Sequence, residues 1–404
     1  MSTMVNDPRL VSDDSAGTFF QRLRRRMSYA DIGQLPVLIG LVLIWVIFQA
    51  ANDKFLSPVN LTNLILQSIA MGIASVGVTL VLLLGEIDLS VGAVSGVAAS
   101  VMAVENVKNG VSGPVAILMA LAAGLLIGLL HGFWITKLRV PAFVVTLAGL
   151  LSWQGVQLQV LGTTGTVNLR DQSITGLTTT FFSDIWGWLI AIVFVVLYAA
   201  GSFWERQQRL TAGLSVVSFN ALLGRIVAVA AGVLIATAVF SADRGLPLAV
   251  VIFVSIIVIM NTITRRTRFG RYIYAVGGNQ EAARRASINV DGIRIAVFAL
   301  CSLIAAMAGV MAGARLLAVN QSSGASDFLL NTIAAAVIGG TSLFGGRGTV
   351  WGALLGALVI GSISNGMDLL GLPSPVKFMI TGGVLLAAVT LDAIVRRRQV
   401  ATGK

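Results

Sequence analysis

Residues 64–84 read LILQSIAMGIASVGVTLVLLL, and no charged side chain interrupts them. A run of ~20 apolar residues, wound as a helix, crosses the ~30 Å hydrocarbon core of a bilayer. Working outward in both directions gives about twelve such runs: residues 35–50, 64–84, 87–104, 114–136, 141–161, 185–203, 216–240, 246–263, 293–314, 328–343, 350–367 and 378–395. The third and tenth are short or broken by glycine, so either could be a broken or re-entrant helix, which is tolerated where protein buries it. The expected fold is an all-α, polytopic transmembrane bundle.

Composition supports this reading. Of 404 residues, 56% are hydrophobic and 11% charged, and the mean hydropathy is +0.90. An ordinary soluble domain carries roughly 25% charged residues. The 44 glycines suit helices that pack closely through small residues. The one cysteine, Cys301, lies in an apolar run and reads as a buried structural thiol.

A net charge of +11 raises the question of nucleic acid, but the charges sit at the ends of apolar runs. With the N-terminus inside, 21 of the 28 Lys and Arg residues fall on cytoplasmic segments, and the six outside are Lys54, Lys108, Arg170, Arg244, Arg315 and Lys377. That asymmetry obeys the positive-inside rule and predicts an even number of crossings. Positive charge here orients helices, and no nucleic-acid partner is expected. Residues 1–34, with Arg22, Arg24, Arg25 and Arg26, read as a cytoplasmic tail without a cleavable signal. Residues 35–398 form the membrane domain, and 399–404 a second cytoplasmic tail.

The longest cytoplasmic loop, 264–292, contains RRTRFGRYIYAVGGNQEAARRASINVDG. Gly277 and Gly278 break the chain, Asn279 is placed to cap a helix, and Glu281 falls in its first turn. Gly292 is the expected stop, giving about two and a half turns outside the bilayer. A weak internal repeat pairs Gly85, Leu89 and Gly92 of LGEIDLSVG with Gly339, Leu343 and Gly346 of IGGTSLFGG, at an offset of 254 residues.

Several chemistries are excluded. No lysine precedes Ser or Thr, so the chain has no Walker A loop to bind ATP phosphates. The only histidine, His131, leaves no histidine metal cluster and no Ser-His-Asp triad, and it reads as a packed side chain. No metal or cofactor is expected. Charges at membrane depth are costly, which singles out Glu86, Asp88, Arg225, Asp327 and Asp368. Glu86 and Asp88 could cap broken helix ends, pair with Arg225 or Arg347, or carry protons. Asp327 and Asp368 read as helix-boundary residues. In the fifth run Trp153, Gln154, Gln157 and Gln159 could line a path for a polar solute, since sugars are held by ring stacking and hydrogen bonds. Interfacial anchoring explains the same residues.

LVLLLGEIDLSVGAVSG, GRYIYAVGGNQEAARRASINV and AAAVIGGTSLFGGRGTVWGALLGALVIG, in this order, resemble the permease subunits of bacterial ABC importers for monosaccharides. The likeness extends from about residue 35 to 398, and the extra apolar pair around residues 185–240 resembles the longer, D-xylose-type permeases. The resemblance implies a homodimer in the inner membrane, a separate cytoplasmic ATPase and a periplasmic sugar-binding protein. It also implies that Gln280, Glu281, Ala282, Ala283, Arg284, Arg285, Ala286, Ser287 and Ile288 form the coupling contact with the ATPase. An ion-coupled secondary transporter built on Glu86 and Asp88, a passive channel, and a branched-chain amino acid permease are the alternatives. The sugar itself is not fixed, because selectivity is expected to reside largely in the binding protein.

Overall fold

The computed structural model describes the backbone of residues 34–401 except 164 and 215, and the side chains of these except 326, 385, 388, 389 and 391–401. All but one residue of the expected N-terminal tail, with its arginines, therefore lies outside the described residues. The helices are α1 (Leu35–Ala51), α2 (Pro58–Leu83), α3 (Val91–Val107), α4 (Gly113–Thr136), α5 (Ala142–Leu161), α6 (Gln172–Thr179), α7 (Asp184–Thr211) and α8 (Phe219–Ser241). They continue as α9 (Leu248–Arg266), α10 (Arg268–Gly278), α11 (Gln280–Arg285), α12 (Val290–Leu316), α13 (Ser326–Ile338), α14 (Val350–Leu369) and α15 (Ser374–Ala401). Two small antiparallel pairs join β1 (Thr166–Asn168) to β4 (Ala318–Asn320) and β2 (Phe181–Phe182) to β3 (Leu246–Pro247).

Among the described residues, eight helices are long and apolar enough to cross a membrane: α2, α4, α5, α7, α8, α9, α12 and α14. Each apolar run of the sequence falls on a helix, but α1, α3 and α13 are shorter than a full crossing, so length alone supports fewer spans than the twelve or so that the sequence suggested. The third run is short and not broken: residues 84–90 are non-helical, and α3 runs uninterrupted from Val91 to Val107.

The longest buried helix, α12, forms the centre, packed by α2, α3 and α4. Its approach to α4 is set by a stripe of glycines four residues apart. A Cβ on Gly124 would lie 2.5 Å from the Ala306 Cβ, on Gly128 2.5 Å from the Phe298 carbonyl oxygen, and on Gly132 2.7 Å from the Ile295 Cα. Small residues at this spacing let two backbones touch, which is the packing expected where lipid supplies no hydrophobic drive between helices. The α7–α8 pair lies at the periphery. Only Gly187 and Ala191 of α7 are buried, and Arg225 is exposed on α8.

Helix α2 and helix α13 end in the same way. Glu86 N–H donates to Val81 O and Gly85 N–H to Leu82 O, while Thr341 N–H donates to Ala336 O and Gly340 N–H to Val337 O. Both are Schellman caps, with Gly85 at φ +78 and Gly340 at φ +90, a region in which glycine avoids a Cβ clash. The caps superpose Gly85 on Gly340, whereas the sequence match put it on Gly339; the repeat is one residue out of its sequence register. The two following stretches then meet, since Gly346 N–H donates to Leu83 O at 2.9 Å.

That junction lies at the end of the bundle carrying α10 and α11. Gln34 Nε2 donates to Thr349 Oγ1 at 2.9 Å, so α1 starts at this end, and its far side is tied by Asn52 Nδ2 to Leu369 O. The β pairs occupy the opposite end, where α5, α8 and α12 finish.

Candidate functional site

The segment after α9 is two helices, not one. Thr267 caps α10 by accepting from Gly270 N–H, and the chain continues helical through Gly277 and Gly278, which the sequence reading had taken as a break. Gly277 is needed for proximity: a Cβ there would sit 1.8 Å from the Leu83 carbonyl oxygen. Ile273 and Val276 are buried, and Tyr274 Oη donates to Gly348 O at 2.9 Å. Burial pushes the Tyr274 phenol above its ordinary value, which keeps it a donor there. Thus α10 clamps the α2 terminus to the 344–348 loop.

Helix α11 follows at once, because the Asn279 Oδ1 accepts from Ala282 N–H at 2.9 Å. The cap is where the sequence put it, but the helix ends at Arg285. Gly292 is no stop; it lies in the first turn of α12, whose N-cap Asn289 accepts from Gly292 N–H. The reason is local: Ser287 adopts φ +59, turns the chain, and leaves Asn289 free to start a new helix. Within 280–288 only Ala283 is buried, while Gln280, Glu281, Ala282, Arg284, Arg285, Ala286 and Ser287 are exposed and Ile288 is half-buried. Glu281 pairs with Arg285 at 3.9 Å, and Arg284 reaches Asp291 at 3.6 Å. One alanine anchors a ledge of charged and small residues.

Inward of this ledge, Glu86 meets Arg294 from the second turn of α12 at 2.5 Å, their side chains 15% and 16% exposed. The partner is therefore Arg294, which the sequence counts only as a loop arginine; the suggested Arg225 stands exposed on the peripheral α8. The pair joins the α11–α12 junction to the non-helical stretch 84–90.

Asp88 lies further along that stretch, 1% exposed. Its Oδ1 accepts from Ser90 N–H at 2.8 Å and from Ser90 Oγ at 2.6 Å, an Asx-type cap at the start of α3. Ser90 Oγ lies 3.4 Å from His131 Nδ1, and Trp153 Nε1 donates to His131 Nε2 at 2.9 Å. An indole N–H can only donate, so Nε2 must be the acceptor and the ring proton belongs on Nδ1, facing Ser90. Donation therefore runs in one direction, from Trp153 through His131 and Ser90 to Asp88. Cys301, fully buried, lies against the same carboxylate. The sequence named Asp88 and Trp153 but took His131 and Cys301 as packing. A lone histidine gives no sign of its neighbours, and Ser90 carried no signal beyond its place two residues after Asp88.

The amides divide. Gln157 is buried, and its Nε2 donates to Asn320 O and Ser323 O at 3.1 and 2.9 Å, bolting the loop after β4 to α5. Gln154 is half-buried. Asp327 lies in the first turn of α13, and Asp368, near the end of α14, pairs with Lys377.

Residues 60–389 match the family described as "Branched-chain amino acid transport system / permease component". The chain belongs to this family. The permease is 35% identical over 357 residues to the xylose transport system permease protein XylH of Haemophilus influenzae, covering 88% of this chain and 95% of that one. Against XylH of Escherichia coli K12 it is 35% identical over 367 residues, 90% and 93% of the two chains. The ribose import permease protein RbsC of the same strain is 34% identical over 373 residues, 91% and 96%. No solved structure matches the chain. The permease is a multi-pass membrane protein and a transport subunit.

Proposed function

We propose that this permease carries a monosaccharide, D-xylose or a related pentose, inward by alternating access, receiving it from a periplasmic binding protein and drawing its energy from a separate cytoplasmic ATPase. The observation that carries the sugar reading is likeness along nine-tenths of the chain to permeases named for xylose and ribose. A branched-chain amino acid cargo has the family description in its favour. The exposed, capped ledge at residues 280–288 supports ATP coupling: α10 fixes it rigidly to the α2 terminus, so a partner that moves the ledge moves the bundle. Ion coupling finds less support, since Glu86 is held by Arg294 and Asp88 is engaged in capping α3.

The functional unit in this reading is a homodimer in the inner membrane, with residues 1–34, 264–292 and 399–404 in the cytoplasm around a permease domain of 35–398. The start of α1 and the α11 ledge share one end of the bundle, as that topology requires. Trp153, Gln154, Gln157, Glu86 and Asp88 remain the residues proposed to border the sugar's route or to hold its walls. Co-reconstitution with the ATPase and candidate binding proteins, followed by uptake of labelled D-xylose, ribose and leucine, tests the proposal. ATP-dependent xylose uptake is expected; leucine uptake, or uptake driven by an ion gradient without ATP, overturns it. Labelling of a cysteine at position 279 from the periplasm, in a Cys301→Ala background, overturns the topology.

A further inference from the structure

Beside the ledge, a cavity of about 440 Å³ opens between the α4–α5 connection and the α11–α12 junction. Its polar wall is formed by Arg139, Arg284, Arg294, Thr136, Asn289 and Asp291. Three guanidinium groups thus face one carboxylate. Arg284 is partly answered by Asp291 at 3.6 Å and Arg294 by Glu86, but Arg139 has no charged or hydrogen-bonding partner among the described residues. Arg139 also holds φ +56, a left-handed conformation that side chains with a Cβ avoid, so the backbone presents this arginine at some cost. Asn289 spends its Oδ1 on the N–H of Gly292, which leaves its amide NH2 as an unused donor. Behind it begins α12, whose N-terminal dipole is positive.

We propose that this cavity binds a phosphate group, held by Arg139, the Asn289 amide and the outer faces of Arg284 and Arg294. A planar guanidinium matches phosphate oxygens two at a time, and several donors converging on one cavity satisfy them together. Thr136 contributes shape only, because its hydroxyl already donates to Gly132 O at 2.7 Å. The surroundings favour a phospholipid headgroup as the source. Phe133, Trp134 and Leu138 are exposed at the adjoining end of α4, where aromatic side chains sit at headgroup level, and basic pockets between membrane helices hold anionic lipids. The site requires neither the sugar nor the ATPase, so it stands or falls apart from the transport reading.

The test uses the purified full-length permease in neutral detergent, with binding followed by native mass spectrometry and by thermal protection. The probes are phosphatidylglycerol, phosphatidylcholine and inorganic phosphate. Phosphatidylglycerol is expected to bind at least fivefold more tightly than phosphatidylcholine. Arg139→Asn, which removes the charge but tolerates the left-handed backbone, is expected to abolish that preference; Arg139→Gly serves if the asparagine variant does not fold. Arg209→Asn, on the exposed end of α7, is expected to leave it intact. Binding of inorganic phosphate alone, lost in Arg139→Asn, also supports the site and assigns it to a soluble phosphate. Equal binding of both lipids with no effect of phosphate overturns the proposal. So does an unchanged preference in Arg139→Asn, or an equal loss in Arg209→Asn.

Discussion

The Glu86–Arg294 pair is the most informative single contact to break, because it is the described ion pair that ties the α11–α12 junction to the non-helical stretch 84–90. Removing one partner of a fully buried pair costs about 3 to 5 kcal/mol, most of it the penalty for the charge left behind. Here the side chains keep 15% and 16% exposure, and Glu86 Oε2 and Arg294 Nε are buried without a hydrogen-bond partner, so compensation is already incomplete. A discounted cost of about 2.5 kcal/mol is expected for Glu86→Gln, which strands a guanidinium that cannot lose its charge. Arg294→Gln should cost less, about 1.5 kcal/mol, because an unpaired carboxylate can take up a proton and become neutral. The double variant should cost no more than about 2 kcal/mol, since two amides can bond to each other, leaving a coupling energy of about 2 kcal/mol. Equilibrium unfolding of the purified permease in mixed micelles, followed by tryptophan fluorescence, measures all four corners of the cycle. A coupling below about 0.5 kcal/mol, or equal costs for the two single variants, refutes the reasoning.

Glu281→Arg replaces a contact between side chains that are both more than four-fifths exposed, so folding should change by less than about 0.5 kcal/mol while ATP-driven uptake collapses; intact uptake counts against the coupling role of α11. Gly277→Ala drives a Cβ into the Leu83 carbonyl, whereas a Cβ on Gly278 meets nothing within 4 Å; thermal unfolding should show a large loss for the first and almost none for the second, and equal effects would remove the clamp. Asp171, half-buried at the opposite end, is held below the usual carboxylate range first by the Ser173 N–H, and also by Asn106 and Gly113 N–H. Its depressed value means its contribution is complete above the ordinary carboxylate pKa and is lost as pH falls through the folded value; an acid titration of stability should flatten in Asp171→Asn, and an identical profile would show that the knot does nothing.

What the sequence determined by itself is what depends on near neighbours. Apolar runs long enough to cross lipid, the cap at Asn279, the shortness of the third run and the charge asymmetry are all legible because hydropathy and capping act over a turn or two. The lengths of α10 and α11 were not, because Gly277 and Gly278 stay helical only where α10 presses on Leu83, and Gly292 extends α12 only because Asn289 caps it. The tertiary structure alone brought Arg294 to Glu86 and ordered Trp153, His131, Ser90 and Asp88 into one donor chain. Those partners lie on different helices, and which of them meet is decided by how closely the backbones approach, here by Gly124, Gly128 and Gly132 against α12. Charge and hydrogen-bonding capacity are written in each residue, but the compensation that a buried polar group requires comes from whatever the packing places beside it.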